Sequence, residues 1–343
     1  MRKVKGSSQV KAGALIFAAL GLSLFLPQTL RAQKAVAVGY GQANVTVLSK
    51  HRGVQPPVVT AQQLELRMNG QPASITGWRQ AKGPVEIVLL IDSGARTSLG
   101  SQMPELASFI RSLPAQDEVG VAYMQNGQAV FTVGLTNDKQ AAAAGLRLPA
   151  GTPGSSASPY FCLSNLAKHW PSVDLTARRE VVMLTNGVDN YELRYNPDDP
   201  YVQAAIGDAL RAHVVVNSIY WTNRGWFNST GYAAGTGQNH LLQVAAATGG
   251  QAYWQGTGDP VTFEPYFKDL RQRLSAQYVL NFTAPLKGKP QVVTLRLKAK
   301  VEGAKIEAPQ RVWLAAKPVT TPAANSDACC SLHPAATGAH LGW

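Results

Sequence analysis

VEIVLLIDSGARTSLG, residues 85–100, decides how the rest of the chain is read. An apolar run broken only by Glu86 ends at Asp92 and passes through Ser93 and Gly94. It then gives way to Leu99, Met103, Leu106, Phe109 and Ile110, which recur at helical spacing. A strand apolar on both faces suits the middle of a parallel sheet covered by helices. Ligands of such sheets bind beyond the carboxyl ends of the strands, where Asp92 is expected.

Outward from this stretch the alternation continues. EVGVAYMQ (118–125) leads through an Asn126-Gly127 turn, and an alanine-rich helix follows near 138–144. A helix through Trp170 precedes the apolar strand and turn REVVMLTNG (179–187). A helix at about 200–212, a strand at 213–220, a Gly/Asn-rich loop at 222–237 and a helix at 239–248 come next. A short strand at 251–254 and an amphipathic helix at 261–274 close the run. The pattern predicts an α/β fold, a doubly wound, mostly parallel sheet over residues 83–275.

The flanks are different. Residues 33–82 and 276–317 read as β-segments, the first with a hairpin at Asn69-Gly70 and with Ile75 and Trp78 facing a core. A helix-free segment of that length does not cover its own sheet. The two β-segments are therefore expected to pair into a small β-sandwich with the α/β domain inserted between them. Residues 318–343 are rich in Ala, Thr, Pro and Ser and are expected to form a disordered tail.

Residues 1–32 have the layout of a secretory signal peptide: Arg2, Lys3, Lys5 and Lys11, an apolar run at 12–26, and Leu30-Arg31-Ala32 before the expected cleavage. The apolar run is short for a membrane span and is closed by Pro27. Loss of the leader's five basic residues lowers the formal charge from +12 to +7. The remaining charges are dispersed, which argues against a nucleic-acid footprint. The expectation is an exported protein, periplasmic, cell-surface or secreted, with no stable membrane span. Cys162, Cys329 and Cys330 form no disulfide framework and no zinc spacing, and their pairing is left open.

VEIVLLIDSG, a following helix, EVGVAYMQ and REVVMLTNGVDN together resemble the von Willebrand factor type A domain. The arrangement of LELRMNGQPASITGW before the α/β region and Gln277 to Phe282 after it is similar to exported bacterial proteins of the VWFA-related kind. That resemblance implies a metal-ion-dependent adhesion site. Its pattern is Asp-x-Ser-x-Ser after the first strand, a threonine from a second loop and an aspartate from the turn after the fourth strand. Mg²⁺ would bind there through six oxygen ligands, with one position open for a partner's carboxylate.

The chain departs from this pattern at three of the five positions: Gly94 and Arg96 stand at the two serines and Asn186 at the second carboxylate. Asp92 keeps the first position. Thr152 is the best candidate for the threonine, with Ser155 and Ser156 as rivals. An arginine in place of a ligand repels a cation, by roughly 4 kcal/mol at about 4 Å and an effective dielectric near 20. The expectation is a degenerate site with no metal and no other cofactor; any metal would rest on Asp92, Thr152 and Asn186. Arg96 either pairs with Asp92 in the ion's place, or is solvated while Asp92 caps the helix.

The loop WTNRGWFNSTGY, 221–232, places aromatic residues among Gly and Asn, a composition found on recognition surfaces, although its aromatics could instead fold inward. Asp189, three residues past Asn186, reads as structural. The histidines show no ligand spacing, and no nucleophile elbow, Walker loop or dinucleotide fingerprint is present. An enzyme is not expected. The reading is a binding or adhesion module for a protein partner, working through Asp92, Ser93, Arg96, Ser98, Thr152, Asn186, Arg224, Trp226 and Phe227. A structural envelope component with a vestigial site is the alternative.

Overall fold

The computed structural model describes residues 37–317 apart from 52, 96, 153–154, 223–230 and 255, and only the backbone of Thr97, Gly231 and Tyr232. The leader at 1–32, the tail with Cys329 and Cys330, and Arg96, Arg224, Trp226 and Phe227 therefore lie outside the described residues.

Val85–Asp92 is the strand β5, buried along its whole length. Before it come β1 (Ala37–Ser49), β2 (Leu64–Met68), β3 (Gln71–Pro72) and β4 (Ser74–Gln80). After it run α1 (Met103–Ser112), β6 (Glu118–Gln125), β7 (Gln128–Thr136), α2 (Lys139–Ala144), α3 (Pro159–Lys168) and β8 (Arg178–Thr185). Next come α4 (Pro200–Arg211), β9 (Val214–Tyr220), α5 (Gly231–Thr248), β10 (Ala252–Tyr253) and α6 (Glu264–Ser275). The chain returns to strand with β11 (Gln277–Leu286), β12 (Gln291–Ala299), β13 (Ala304–Glu307) and β14 (Arg311–Leu314).

The central sheet has the order β10-β9-β8-β5-β6-β7. Its neighbours run parallel except β6 and β7, which form an antiparallel hairpin through Asn126 and Gly127, both at positive φ. Period-two alternation along β5 explains the double winding. Ile87, Leu89 and Ile91 pack with α1 and α6 on one face, where Phe109 stacks on Phe267 at 4.3 Å. Val88 and Leu90 pack with α3, α4 and α5 on the other.

The two flanking β-segments pair with each other. β1 lies against β11 and β13, and β11 also against β4; β2 lies against β12. The resulting sheets, β13-β1-β11-β4 and β14-β12-β2-β3, enclose a shared core that includes Val45, Leu66, Phe282, Leu295 and Leu314. At the amino ends of the central strands, Gln277 Nε2 donates to Glu180 at 2.6 Å and Arg178 donates to the Leu274 carbonyl and to Gln277. The sandwich is thus fastened opposite the edge that carries Asp92.

Two helices differ from the sequence reading. α5 begins at Gly231, well before residue 239, and its Gly237 serves close packing: a Cβ there would lie 2.0 Å from the Asn186 carbonyl oxygen. α6 begins at Glu264, where the Glu105 carboxylate of α1 accepts the Phe263 and Glu264 N–H groups and the Thr262 hydroxyl. A carboxylate distant in sequence thus caps that helix beside its local marks, Pro265 in the first turn and the Thr262 hydroxyl, which accepts the Glu264 N–H.

Candidate functional site at the carboxyl edge

Register places Asp92 opposite Met124 of β6 and, on the other side, one step beyond the Ile91–Leu184 pair. Thr185 therefore reaches Asp92. Its hydroxyl donates to Asp92 Oδ2 at 2.9 Å and accepts the Gly187 N–H, while Asp92 Oδ1 accepts the Gly94 N–H at 2.8 Å. The Ser156 hydroxyl lies close enough to lower the pKa of this carboxylate. Asp92 is only 1% exposed, and burial raises its pKa against those donors.

Three loops meet around this carboxylate. The Gly151 N–H donates to the Ser93 carbonyl, and the Asn126 and Gly127 N–H groups donate to the carbonyls of Ser155 and Ser156. The Tyr160 hydroxyl donates to the Gly187 carbonyl at 2.7 Å, and Asn190 Nδ2 donates to the Ala157 carbonyl. Backbone polar groups at the carboxyl edge are thereby satisfied by neighbouring loops.

Asp92, Ser93 and Asn186 are buried, and the Asn186 side chain is occupied by the Val188 N–H. Ser98 and Thr152 are exposed, the Ser98 hydroxyl accepting from Trp221 Nε1. Of the residues named for a metal, Thr152 is exposed, whereas Ser156, its rival, is buried near Asp92. Trp221 is buried, edge-on to Phe263. The three residues expected to bind a partner from that loop, Arg224, Trp226 and Phe227, lie outside the described residues, as does Arg96.

This donor set does not fit a divalent cation. Asp92 contributes the one carboxylate among the hydroxyls and amide gathered here, and both its oxygens already accept hydrogen bonds. Mg²⁺ calls for six oxygens in near-octahedral array. Among the described residues, no three His, Cys, Asp or Glu side chains are grouped to hold a metal.

A second feature of this edge was not read from the sequence. Tyr191 and Tyr201 are 63% and 39% exposed, and their rings cluster with that of Phe161 at centroid distances of 4.8 to 6.1 Å. Asp189 Oδ1 accepts the Tyr191 N–H at 2.9 Å and Asp199 Oδ1 accepts the Tyr201 N–H at 2.8 Å. Both aspartates are fully buried. The pKa of Asp189 is raised by burial and by the neighbouring Asp199 charge. The signal available was the recurrence of tyrosine at 191, 195 and 201 among Asn, Asp and Pro.

The doubly wound, mostly parallel sheet is the fold that the resemblance implied. The fold is von Willebrand A-like.

No family model matches the chain, and no curated protein matches it. Among solved structures, an aerotolerance-related membrane protein from Bacteroides fragilis aligns with 55% of this chain and 98% of its own, at 14% identity and a TM-score of 0.38. The VWA domain of SpRpn10 aligns with 55% of this chain and 94% of its own, at 10% identity and a TM-score of 0.36. The pilus adhesin SpaC from Lactobacillus rhamnosus GG, in its open conformation, aligns with 78% of this chain and 48% of its own, at 11% identity and a TM-score of 0.39. Likeness at this level carries no function over to this chain. Among the described residues no helix is long and apolar enough to cross a membrane.

Proposed function

We propose that the protein is an exported, non-enzymatic binding module that takes a protein partner on the carboxyl edge of its central sheet without a metal ion. The observation that carries this reading is the exposed aromatic cluster of Phe161, Tyr191 and Tyr201. Exposed aromatic rings offer large rigid contact area at low entropic cost, and Tyr is enriched in interfaces. Two buried aspartates hold the backbone beneath Tyr191 and Tyr201, so the cluster is preorganised.

The metal-independent mode rests on the chemistry at Asp92, whose carboxylate is engaged by Gly94 and Thr185. Export rests on the basic, apolar and small-residue layout of residues 1–32. Ser98 and Thr152 extend the proposed contact surface, Asp92, Ser93 and Asn186 shape it from beneath, and the reading keeps Arg96, Arg224, Trp226 and Phe227, outside the described residues, as partner-binding residues.

Replacing Tyr191 and Tyr201 together by serine tests the reading. The variant is expected to keep the thermal midpoint of the parent within a few degrees and to lose the partner recovered from envelope extract of the native host. Unchanged recovery would place the contact elsewhere on the molecule.

A further inference from the structure

Beside Asp92, on the flank away from the tyrosines, a cleft of about 380 Å³ opens between β6, β7 and the loop that leads to Gly151. Ser93, Tyr123, Thr132, Arg147, Leu148 and Gly151 are among its lining residues, and none of its lining residues is acidic. The loop is seated closely: a Cβ on Gly151 would lie 2.9 Å from Ser93 Cβ and 2.5 Å from Ser155 Oγ. Of the lining hydroxyls, Ser93 Oγ is buried with no hydrogen-bond partner. Ser93 as a whole is 3% exposed. A buried hydroxyl without a partner carries a desolvation cost that a ligand acceptor would relieve.

The charge in the cleft is that of Arg147, which takes part in no ion pair among the described residues. Its backbone is pinned to the cleft: the Tyr123 hydroxyl donates to the Arg147 carbonyl at 2.5 Å and accepts the Arg147 N–H at 2.7 Å. The guanidinium is near enough for its charge to act on that phenol. Val130 and Leu148, 40% and 52% exposed, supply aliphatic walls.

We infer that this cleft binds a carboxylate side chain presented by the protein partner, with Arg147 supplying the charge and the Ser93 hydroxyl an added donor. The inference rests on the reading of the carboxyl edge as the partner-binding face. A free hydroxyl donor and one guanidinium in a cleft with no acidic lining residue select an anionic acceptor, and a single cation matches a monoanion better than a phosphate dianion. Aliphatic walls favour a Glu or Asp flanked by apolar residues over a free anion.

The test is an amide NMR titration of the full chain with the capped peptide acetyl-Leu-Glu-Val-amide, its Leu-Gln-Val counterpart, and inorganic phosphate. Saturable shifts at Ser93, Thr132 and Leu148 are expected with the Glu peptide, with affinity at least tenfold above that of the Gln peptide and of phosphate. Arg147→Gln is expected to weaken the Glu peptide about tenfold and leave the Gln peptide unchanged. Because Tyr123 is held by the backbone of Arg147, this variant keeps its fold, which unchanged shifts elsewhere in the spectrum would verify. Equal response to the Glu and Gln peptides, shifts outside the cleft, or a stronger response to phosphate overturns the inference. Partner cross-linking from position 191 is a separate readout: its persistence alongside a failed titration removes the carboxylate cleft and leaves the edge reading standing, and its loss removes the edge.

Discussion

The Thr185 hydroxyl, at the end of β8, donates to Asp92 Oδ2 across the centre of the sheet at 2.9 Å, and both residues are buried. This bond joins the last residues of two adjacent parallel strands. Thr185→Val keeps the shape and removes the donor. A hydrogen bond to a charged, buried acceptor contributes roughly 1.5–3 kcal/mol, and urea unfolding is expected to show a loss of that size. Carbon-13 titration of the Asp92 carboxyl is expected to show a further upward shift, because a donor that favours the ionised form has gone. Thr185→Ser retains the hydroxyl and is expected to restore most of the stability.

Gly237 sits where α5 crosses the turn after β8, and its missing Cβ is what permits the approach to the Asn186 carbonyl. An exposed helical Gly→Ala change is ordinarily stabilising by about 1 kcal/mol. Here overpacking reverses the sign, and Gly237→Ala is expected to lower stability by about 1–3 kcal/mol. Gly207 in α4, with open space around it, provides the contrast: Gly207→Ala is expected to raise the thermal midpoint.

Much of this architecture was legible in residue order. The unbroken apolar run of β5 announced a central strand, the Asn-Gly pairs at 69–70 and 126–127 marked turns that adopt positive φ, and the helix-free flanks required each other's cover. The partners of Asp92 were harder to read. Motif spacing pointed to Asn186 and Thr152, whereas the pleat turns Thr185 toward the carboxylate and the loop delivers Ser156. Which hydroxyl arrives depends on loop geometry over a few residues, and periodicity does not encode it. The aromatic cluster draws Phe161 and Tyr191 from segments 30 positions apart, a proximity that exists only after folding.

Asp189 fixes the backbone of Tyr191 from a fully buried position beside a second carboxylate. Asp189→Asn keeps the accepting oxygen and relieves the repulsion from Asp199, so near-parental stability at neutral pH is expected. Asp189→Ala removes the acceptor and leaves the Tyr191 N–H unbonded, at an expected cost of about 1–3 kcal/mol. Amide hydrogen exchange at Tyr191 is expected to accelerate in the alanine variant and to stay slow in the asparagine variant.

Glu180, fully buried between Asn217 and Gln277, has its pKa raised by desolvation from 4.5 to about 7. The folded state therefore holds a proton that the unfolded chain has released, and stability falls as pH rises between these two values, by up to roughly 3 kcal/mol at 1.36 kcal/mol per unit. The contribution is fully present below the unfolded pKa and gone above the folded one. Denaturation of parent and Glu180→Gln at pH 5 and pH 8 isolates it. The difference between the two proteins is expected to shift in favour of the variant as pH rises, and a pH-independent difference would contradict the assignment.

The central claim, a metal-free partner face on the carboxyl edge, is tested most directly by photo-cross-linking from inside it. A benzophenone amino acid at position 191 is compared with one at Val173, which is 97% exposed in the stretch entering β8 at the opposite end of the sheet. In cells of the native host the account predicts a discrete cross-linked protein from position 191, none from position 173, and no change when a chelator is added. Equal products from both positions, or loss of the 191 product on chelation, would contradict it.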